Sequence, residues 1–546
     1  MTIAKTQIRN IWMVSREYGE LAGAGGVKDV VLQLAEALAG WSHRQVRVVL
    51  PRYGFMNAES HGFAQLVDPD VPDDFLVVDI DMHEPEKLRR EQVRYFVKKI
   101  NKVMVYLVDS PRFSEKTEIY TYSAVDEQRV WWQKRAMGHY DYFAMNLLLQ
   151  KAALQLMICL GEKPDIIHCH DGHTALIPAL TRELEGFRDY FRRSPSLVTI
   201  HNAGYGYHQE IADIPYAKST TGLPEHIVDE YQLERKFDPF LVAGHYGLLN
   251  TVSENYAREL QATEKDRLTG WLGHELLRRG VVLAGVTNGI EPKLMRYGST
   301  GDVPPDFRFE PGDPSDDLRG KARCKAEVLS EVAVTSSWRT EGVERFGGLD
   351  GGLDKPLYTF IGRLSGQKGV DLLTATVPQF LAAHEQPQLL VLGSGAPSIE
   401  TPLIDLATSP VWRGRICFLR GFDPMLAAKI YAAGDFFVIP SRFEPCGLTD
   451  FIAQLYGNIP IVHHVGGLVK VRDMETGIAF HGENREALLE GLVRGLAVYD
   501  DPQLKRQIQL QAVAVIYAQY TWDKVMHRYL QLYHEAHQQL SRRGEG

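Results

Sequence analysis

Two permanent cations stand five residues apart in the run Phe360-Ile361-Gly362-Arg363-Leu364-Ser365-Gly366-Gln367-Lys368-Gly369. Arg363 falls at the end of an apolar strand, and Lys368 on the loop that leads into a helix. Such a pair suits a diphosphate, because fixed cations stabilise the charge that builds as a nucleoside diphosphate leaves. Solvated surface charge is the plainer alternative, and it contributes little. A second constellation, Pro440-Ser441-Arg442-Phe443-Glu444-Pro445-Cys446-Gly447-Leu448-Thr449, puts Glu444 in a turn after a buried strand, fixed on its far side by Pro445. It reads either as a rigid turn or as an anion pre-positioned near an electron-poor sugar carbon.

The segment His168-Cys169-His170-Asp171-Gly172-His173 brings three histidines within six residues. On a strand His168 and His170 share a face, and His173 falls in the next turn. A closed metal site needs a fourth ligand, and none is evident in the pattern. Polar groups at a strand end contacting a hydroxylated substrate are the preferred reading, with no metal. After the first strand, Gly23-Ala24-Gly25-Gly26-Val27-Lys28 puts Lys28 where a GxGxxG dinucleotide loop requires its last glycine, and no GxxxxGK[ST] loop occurs. Four small residues make a tight strand-to-helix turn. They also let anionic or hydroxyl groups come close to backbone N–H groups at a helix start.

These groups need elements to hold them, and the chain supplies a recurring order of apolar strand, Gly-rich or polar turn, then amphipathic helix. Ile11–Val14 is such a strand, followed by a helix whose apolar positions Val30, Val31, Leu34, Ala35 and Leu38 keep helical spacing. Val46–Leu50, Ile166–His170 and Leu197–His201 are further strands, the last two ending in polar groups, and ligands of open α/β sheets collect at carboxyl ends of strands. A second series runs through Leu357–Gly362, Gln388–Leu392, Ile416–Leu419, Phe436–Ile439 and Ile459–His463. Between the two series, Gly, Pro, Asp and Ser accumulate and predict a junction. The expected division is 1–295, a junction or insertion at 296–355, 356–520, and a C-terminal helix at 521–546 packing back on the first domain.

Composition sets the frame. The chain has 546 residues, 45% hydrophobic and 24% charged, with 60 Lys+Arg against 69 Asp+Glu and a net charge of −9. One core stops growing beyond roughly 250–300 residues, so two or more domains are expected. An acidic balance spread along the chain argues against nucleic acid, which calls for a concentrated basic footprint. Five cysteines without CxxC spacing fit a reducing compartment. The first ten residues lack the apolar core of a signal peptide, and no run approaches the ~20 apolar residues that span a bilayer. A cytoplasmic protein with no membrane partner is the expectation.

The chain resembles bacterial glycogen synthases and plant starch synthases, retaining glycosyltransferases of the GT-B type. The matching residues are Ser15-Arg16-Glu17, Gly25-Gly26 and Asp29; His168–His173; Thr199-Ile200-His201-Asn202; Thr251-Val252-Ser253 with Tyr256–Glu259; Asn288-Gly289-Ile290; and Lys321–Ala326. They continue with Gly362-Arg363, Gln367-Lys368-Gly369, Leu392–Gly395, Pro440–Leu448, Gly466-Gly467-Leu468 and Trp522-Asp523. The resemblance implies two Rossmann-like α/β domains facing each other across a cleft, the first on the acceptor side and the second binding the nucleotide sugar. It implies an ADP-glucose donor, or less often UDP-glucose, no cofactor, and an α-1,4-glucan acceptor elongated at its non-reducing end.

Carried over by resemblance, Arg363 and Lys368 form the diphosphate clamp, Glu444 lies beside the transferred glucose, His170 contacts the donor sugar, and Asp141 aligns with a catalytically important aspartate of the N-terminal domain, these five being the implied catalytic residues. Gly25, Gly26, Lys28, Ser394, Phe422, Leu448, Thr449, Gly466 and Gly467 are implied on the nucleotide-sugar side, Phe422 near the base. His201, Asn202 and Asn288 are implied on the acceptor and sugar side. Two departures stand out. The family's first loop usually reads Lys-Thr-Gly-Gly-Leu, whereas this chain has Gly23 at the lysine position, and Lys28 is offered as a partial substitute. Gly172 stands where the family's His-Asp-Trp motif has tryptophan. A GT-B enzyme with a different acceptor, such as a sugar phosphate or small glycoside, and a catalytically quiet glucan-binding homologue are the alternatives.

Overall fold

A computed structural model describes residues 8–295 and 303–544. Contacts divide the chain into two units, Met1–Gly289 with Trp522–Gly546, and Ile290–Thr521. Each is an α/β unit on a mostly parallel sheet.

In the first unit the strands are β1 Asn10–Val14, β2 Gln45–Pro51, β3 Ala64–Gln65, β4 Val77–Asp81, β5 Arg90–Ile100, β6 Val103–Asp109, β7 Ile166–His170 and β8 Ser196–Ile200. The small pair β9 Gln232–Leu233 and β10 Lys236–Phe237 lies apart, and β11 Leu248–Thr251 and β12 Ala284–Gly285 complete the series. The sheet order is β12-β11-β8-β7-β1-β2-β6-β5-β3, with β4 paired to β5. From β12 to β6 every pairing is parallel, while β5 runs antiparallel to β6. Parallel strands covered on both faces read as continuous apolar runs, and β1, β7 and β8 are buried along nearly their whole length.

The helix Tyr142–Cys159 is apolar all round, long enough by composition to cross a bilayer, and is nevertheless a core helix, buried from Phe143 to Leu154. The helix Trp522–Gly544 also belongs to this unit: Trp522 Nε1 donates to Gln33 Oε1 at 2.7 Å, and the Tyr533 hydroxyl lies 3.0 Å from His168 Nδ1.

The second unit holds β13 Val343–Leu349, β14 Leu357–Ile361, β15 Gln388–Gly393, β16 Arg415–Gly421, β17 Phe436–Ile439, β18 Ile459–His463 and β19 Ile478–Phe480, in the order β13-β16-β15-β14-β17-β18-β19. All pairings are parallel except that of β13 with β16. Two apolar layers, one on each face of this sheet, enclose it.

The expected boundaries differ from this arrangement. Ile290 already pairs with Thr521, so the first division falls at Gly289 rather than at 295. Residues 296–302 of the predicted junction lie outside the described residues, but the rest of 296–355 is integral to the second unit. The helix Arg319–Glu331 packs Cys324, Val328 and Leu329 into its core, and β13 closes one edge of its sheet. Lys321 donates to the carbonyls of Ala432 and Tyr456 at 3.0 and 2.8 Å. The glycines read as linker instead serve an edge strand: a Cβ on Gly347, at φ +70°, would meet the Ala407 carbonyl at 2.3 Å. Composition cannot distinguish a tight bend of this kind from a tether.

Candidate active site

In the second unit the functional candidates lie on the loops at the carboxyl ends of neighbouring parallel strands. Arg363 and Lys368 follow β14, Ser394 follows β15, Phe422 follows β16, Glu444, Leu448 and Thr449 follow β17, and Gly466 and Gly467 follow β18. Lys368 Nζ pairs with Glu444 Oε2 at 2.5 Å, and the Ser441 hydroxyl donates to the same oxygen at 3.1 Å. Glu444 is buried and Lys368 half-buried, so the pair sits where attraction is screened less than at a surface.

The backbone fixes these two loops against each other. Arg442 N–H donates to the Gln367 carbonyl at 2.9 Å, and Gln367 Nε2 donates to the Phe443 carbonyl at 3.1 Å. Gly369 has φ +67°, and a Cβ there would stand 2.0 Å from the Pro440 carbonyl oxygen.

Gly466 and Gly467, implied on the nucleotide-sugar side, have a packing role in the structure. A Cβ on Gly466, at φ +52°, would lie 1.9 Å from the Glu444 carbonyl oxygen, and one on Gly467 would lie 2.1 Å from that of Cys446. The Gly467 N–H donates to the Glu444 carbonyl at 2.9 Å, so that donor is already used inside the protein. The two glycines let the β18 loop press against the Glu444 turn. Lys470, which sequence reasoning misses, completes this structure. Its buried ammonium donates to the carbonyls of Cys446 and Gly447, both at 2.6 Å, and of Gly467 at 3.2 Å, and pairs with the fully buried Asp450. Burial pushes the Asp450 carboxyl up to about 6 even with Lys470 beside it. Phe422 and Ser394 are exposed at the same sheet edge, Phe422 at 62%.

The first unit places its candidates in the same way. Gly25, Gly26 and Lys28 follow β1, His170 ends β7, His201 and Asn202 follow β8, and Asn288 follows β12. The N–H groups of Ala24 and Gly25, expected to face a ligand, are taken by Glu17: its Oε2 accepts both, at 2.7 and 3.0 Å, while Tyr120 donates to Oε1 at 2.7 Å. Gly26 begins the helix Val27–Gly40 with no side-chain cap, and a Cβ on Gly25 would meet nothing within 4 Å. Lys28 folds back over Gly23: a Cβ at position 23 would lie 2.1 Å from Lys28 Cδ. Its ammonium pairs with the exposed Glu20 at 2.7 Å.

At the end of β7, burial keeps the histidines neutral. His168 and His201 are pushed down to about 3, and His170 lies well below its ordinary value, lowered first by burial and then by His168. His170 Nδ1 lies 3.0 Å from His201 Nε2, while His170 Nε2 is buried with no hydrogen-bond partner among the described residues. Asp171 has φ +61° and ψ 179°, a conformation costly for a non-glycine residue. Its carboxylate oxygen accepts from the His201 N–H at 2.7 Å and the Asn202 N–H at 3.4 Å, which ties the β7 and β8 loops together. No cluster of three metal-ligating side chains occurs among the described residues.

Gly172, where the family pattern has tryptophan, has no room for a side chain. A Cβ there would lie 2.2 Å from the His208 carbonyl oxygen and 2.8 Å from that of Tyr207. The segment Ala203–Gln209 thus occupies that volume. His208 fixes it, with Nδ1 on Asp238 at 2.8 Å and Nε2 on the Ala203 carbonyl at 2.7 Å. Burial opposes the charge on His208, but Asp238 prevails and raises it to about 9.

Asp141 begins the helix Tyr142–Cys159 and is held by Lys116 at 2.8 Å and Arg112 at 2.7 Å. Burial alone would raise its carboxyl, yet Lys116 and then Arg112 hold it below the usual range. Asn288 is buried, with Oδ1 unpartnered among the described residues, and is followed by Gly289, whose Cβ would lie 2.7 Å from the Trp522 ring.

The model of the starch synthase catalytic domain matches residues 10–274, and that of glycosyl transferases group 1 matches 355–497. The glycogen synthase of Geotalea uraniireducens is 29% identical over 563 residues, covering 98% of this chain and 99% of its own. That of Photobacterium profundum is also 29% identical, covering 97% and 95%. Among solved structures, the catalytic domain of starch synthase IV from Arabidopsis thaliana, bound to ADP and acarbose, superposes with a TM-score of 0.76 at 24% identity, covering 97% of this chain and all of that one. With two parallel-sheet units that gather their polar groups at carboxyl strand ends, and matches spanning the whole length, the chain belongs to the glycogen/starch synthase family of glycosyltransferases.

Proposed function

We propose that this glycosyltransferase moves glucose from ADP-glucose to the non-reducing 4-OH of an α-1,4-glucan with retention of configuration, in the cytoplasm. The observation that carries the reading is the Lys368–Glu444 pair, held by Ser441 and by the interlocked loops after β14, β17 and β18. In this reading Arg363 and Lys368 take the diphosphate, offsetting the charge that develops as ADP departs. Glu444 stabilises positive charge at the glucose carbon that is being freed. The leaving phosphate accepts the proton of the incoming hydroxyl on the same face, so no separate general base is assigned.

The neutral His170, with Nε2 unpartnered among the described residues, is suited to hydrogen-bond a sugar hydroxyl rather than a phosphate. Phe422 is assigned to the nucleobase, an aromatic face on which any base stacks. Lys28 is assigned as the first-loop cation, its stem lying over Gly23. Asp141, fixed between Lys116 and Arg112, is assigned as a positioning group at the acceptor side. That a relative's structure was determined with ADP and acarbose supports an adenine nucleotide and an α-glucoside mimic as the ligand classes.

The test incubates the protein with ADP-, UDP- or GDP-glucose and glycogen, and measures nucleoside diphosphate release and chain extension. ADP release with elongated chains is expected; folded protein that turns over none of the three donors refutes the reading.

A further inference from the structure

The segment between Lys116 and Asp141 contributes little to the core, yet carries large rings to its surface. Trp131 is 80% exposed, Trp132 44% and Tyr140 84%, with Val125 and Met137 exposed beside them. Water in contact with that much apolar side chain is costly, and contiguous apolar patches on a protein surface usually have a partner.

The rings are not on a loose tether. The Tyr122 N–H donates to the Met137 carbonyl and the Ala136 N–H to the Tyr122 carbonyl, both at 2.9 Å, with a β-bridge from Thr121 to Gly138. A capping box between Ser123 and Asp126 starts the helix Ala124–Arg129, and Glu127 holds the far side through Lys134 Nζ at 3.0 Å and the Arg135 N–H at 3.1 Å. The Tyr140 N–H donates to the Tyr122 hydroxyl at 3.0 Å. Trp132 stands edge-on to both Tyr122 and Tyr140, with ring centroids 5.9 and 6.2 Å away. Trp132 and Tyr140 are therefore preorganised, which lowers the entropy cost of binding.

We infer that Trp131, Trp132 and Tyr140 form an α-glucan docking platform on the N-terminal unit, a subsite for acceptor chain remote from the reacting end. The inference rests on the glucan-acceptor reading above. Three observations favour a glucan over a protein. Tyr140 directly precedes Asp141, so the platform continues from a residue assigned to the acceptor side. Residues 117–140 are balanced in charge, with Glu118, Asp126 and Glu127 against Arg129, Lys134 and Arg135, and Glu127 pairs with Lys134, leaving a surface suited to a neutral polymer whose sugar faces are apolar C–H and whose edges are hydroxyl. The area is also small. At ~200 Å² per ring side chain, the stated exposures leave about 400 Å² of ring surface, half of the ~800 Å² per partner of a standard protein interface. A long glucan chain needs only a few rings at intervals.

The experiment compares wild type with Trp131→Ala/Trp132→Ala in three measurements: glycogen retention by affinity electrophoresis, initial rates with glycogen and with maltotriose as acceptors, and mass in solution by light scattering. A loss of glycogen affinity of about tenfold is expected from removing two exposed tryptophan contacts, with KM raised for glycogen, rates on maltotriose kept, and mass unchanged. Equal glycogen retention overturns the inference, and so does a fall in mass, which would assign the rings to a second copy of this chain. Trp131→Phe/Trp132→Phe keeps a stacking face and should restore most of the retention; a failure to restore it also counts against the platform. Binding is read without turnover, so a protein that binds glycogen through these rings but uses no nucleotide sugar would refute the catalytic reading alone.

Discussion

The His208–Asp238 pair fastens the segment that fills the space over Gly172, and its strength is set by one proton. Substituting His208→Gln keeps the size and one donor but removes the charge. The histidine has an ordinary value of 6.5 and a folded value of about 9. At ~1.4 kcal/mol per pH unit, that separation corresponds to about 3 kcal/mol of stabilisation. Its sign follows from the raised folded value: the stabilisation is fully present below pH 6.5 and is lost as pH rises through 9. Asp238 keeps its bonds from the Phe240 and Leu241 N–H groups at 2.9 and 3.2 Å in either protein, so the change should stay local. Hydrogen–deuterium exchange of peptides spanning 203–209 reads that local opening. Compared at each pH between about 6 and 10, wild type should be protected over His208→Gln by up to a hundredfold near neutrality, with the two converging above about pH 9. A difference that is constant across this range, or absent, refutes the argument that a charged His208 holds the segment.

Two further outcomes concern the second unit. Gly466→Ala, which must place a Cβ 1.9 Å from the Glu444 carbonyl oxygen at φ +52°, should cost about 3 kcal/mol or more and displace Glu444, seen as a lowered thermal midpoint and a loss of ADP binding by calorimetry. Lys470→Met should cost about 3–5 kcal/mol by leaving Asp450 buried without its cation, and Lys470→Met/Asp450→Leu should recover most of that stability while KM for the donor stays raised, because the carbonyls of Cys446, Gly447 and Gly467 lose their common donor.

What can be read from the sequence is what local pattern encodes. Arg363, Lys368, Glu444, His170 and His201 are legible because each ends or follows an apolar run, and carboxyl ends of parallel strands are where such sheets present polar groups. Partners distant in the chain are hidden. Lys470 looks like any lysine near a turn, since the carbonyls it binds are fixed by the fold and not by its neighbours. Glu17 is visible as part of a motif, but its bond to Ala24 and Gly25 depends on how the loop after β1 curls. Residues 303–355 mislead because their glycines and prolines resemble a tether, whereas Gly347 and Gly348 permit close packing along an edge strand.

The two departures from the family pattern have a common physical form. At both, glycine stands where the family has a large side chain, and the volume does not stay empty. Over Gly23 lies the stem of Lys28, a cation from the next helix turn; over Gly172 lies the backbone of Tyr207 and His208, pinned by a buried ion pair. An unfilled cavity would forfeit dispersion contacts and cost stability in proportion to its size, so a large-to-small change persists when something else moves in. The replacements differ in what they offer a ligand. Lys28 returns a positive charge to the first loop, whereas the 203–209 segment substitutes peptide groups for an aromatic face. On that ground Lys28→Ala should raise KM for the donor several-fold, while restoring tryptophan at position 172 should unfold the segment rather than improve catalysis, because its Cβ alone already conflicts with the His208 carbonyl at 2.2 Å.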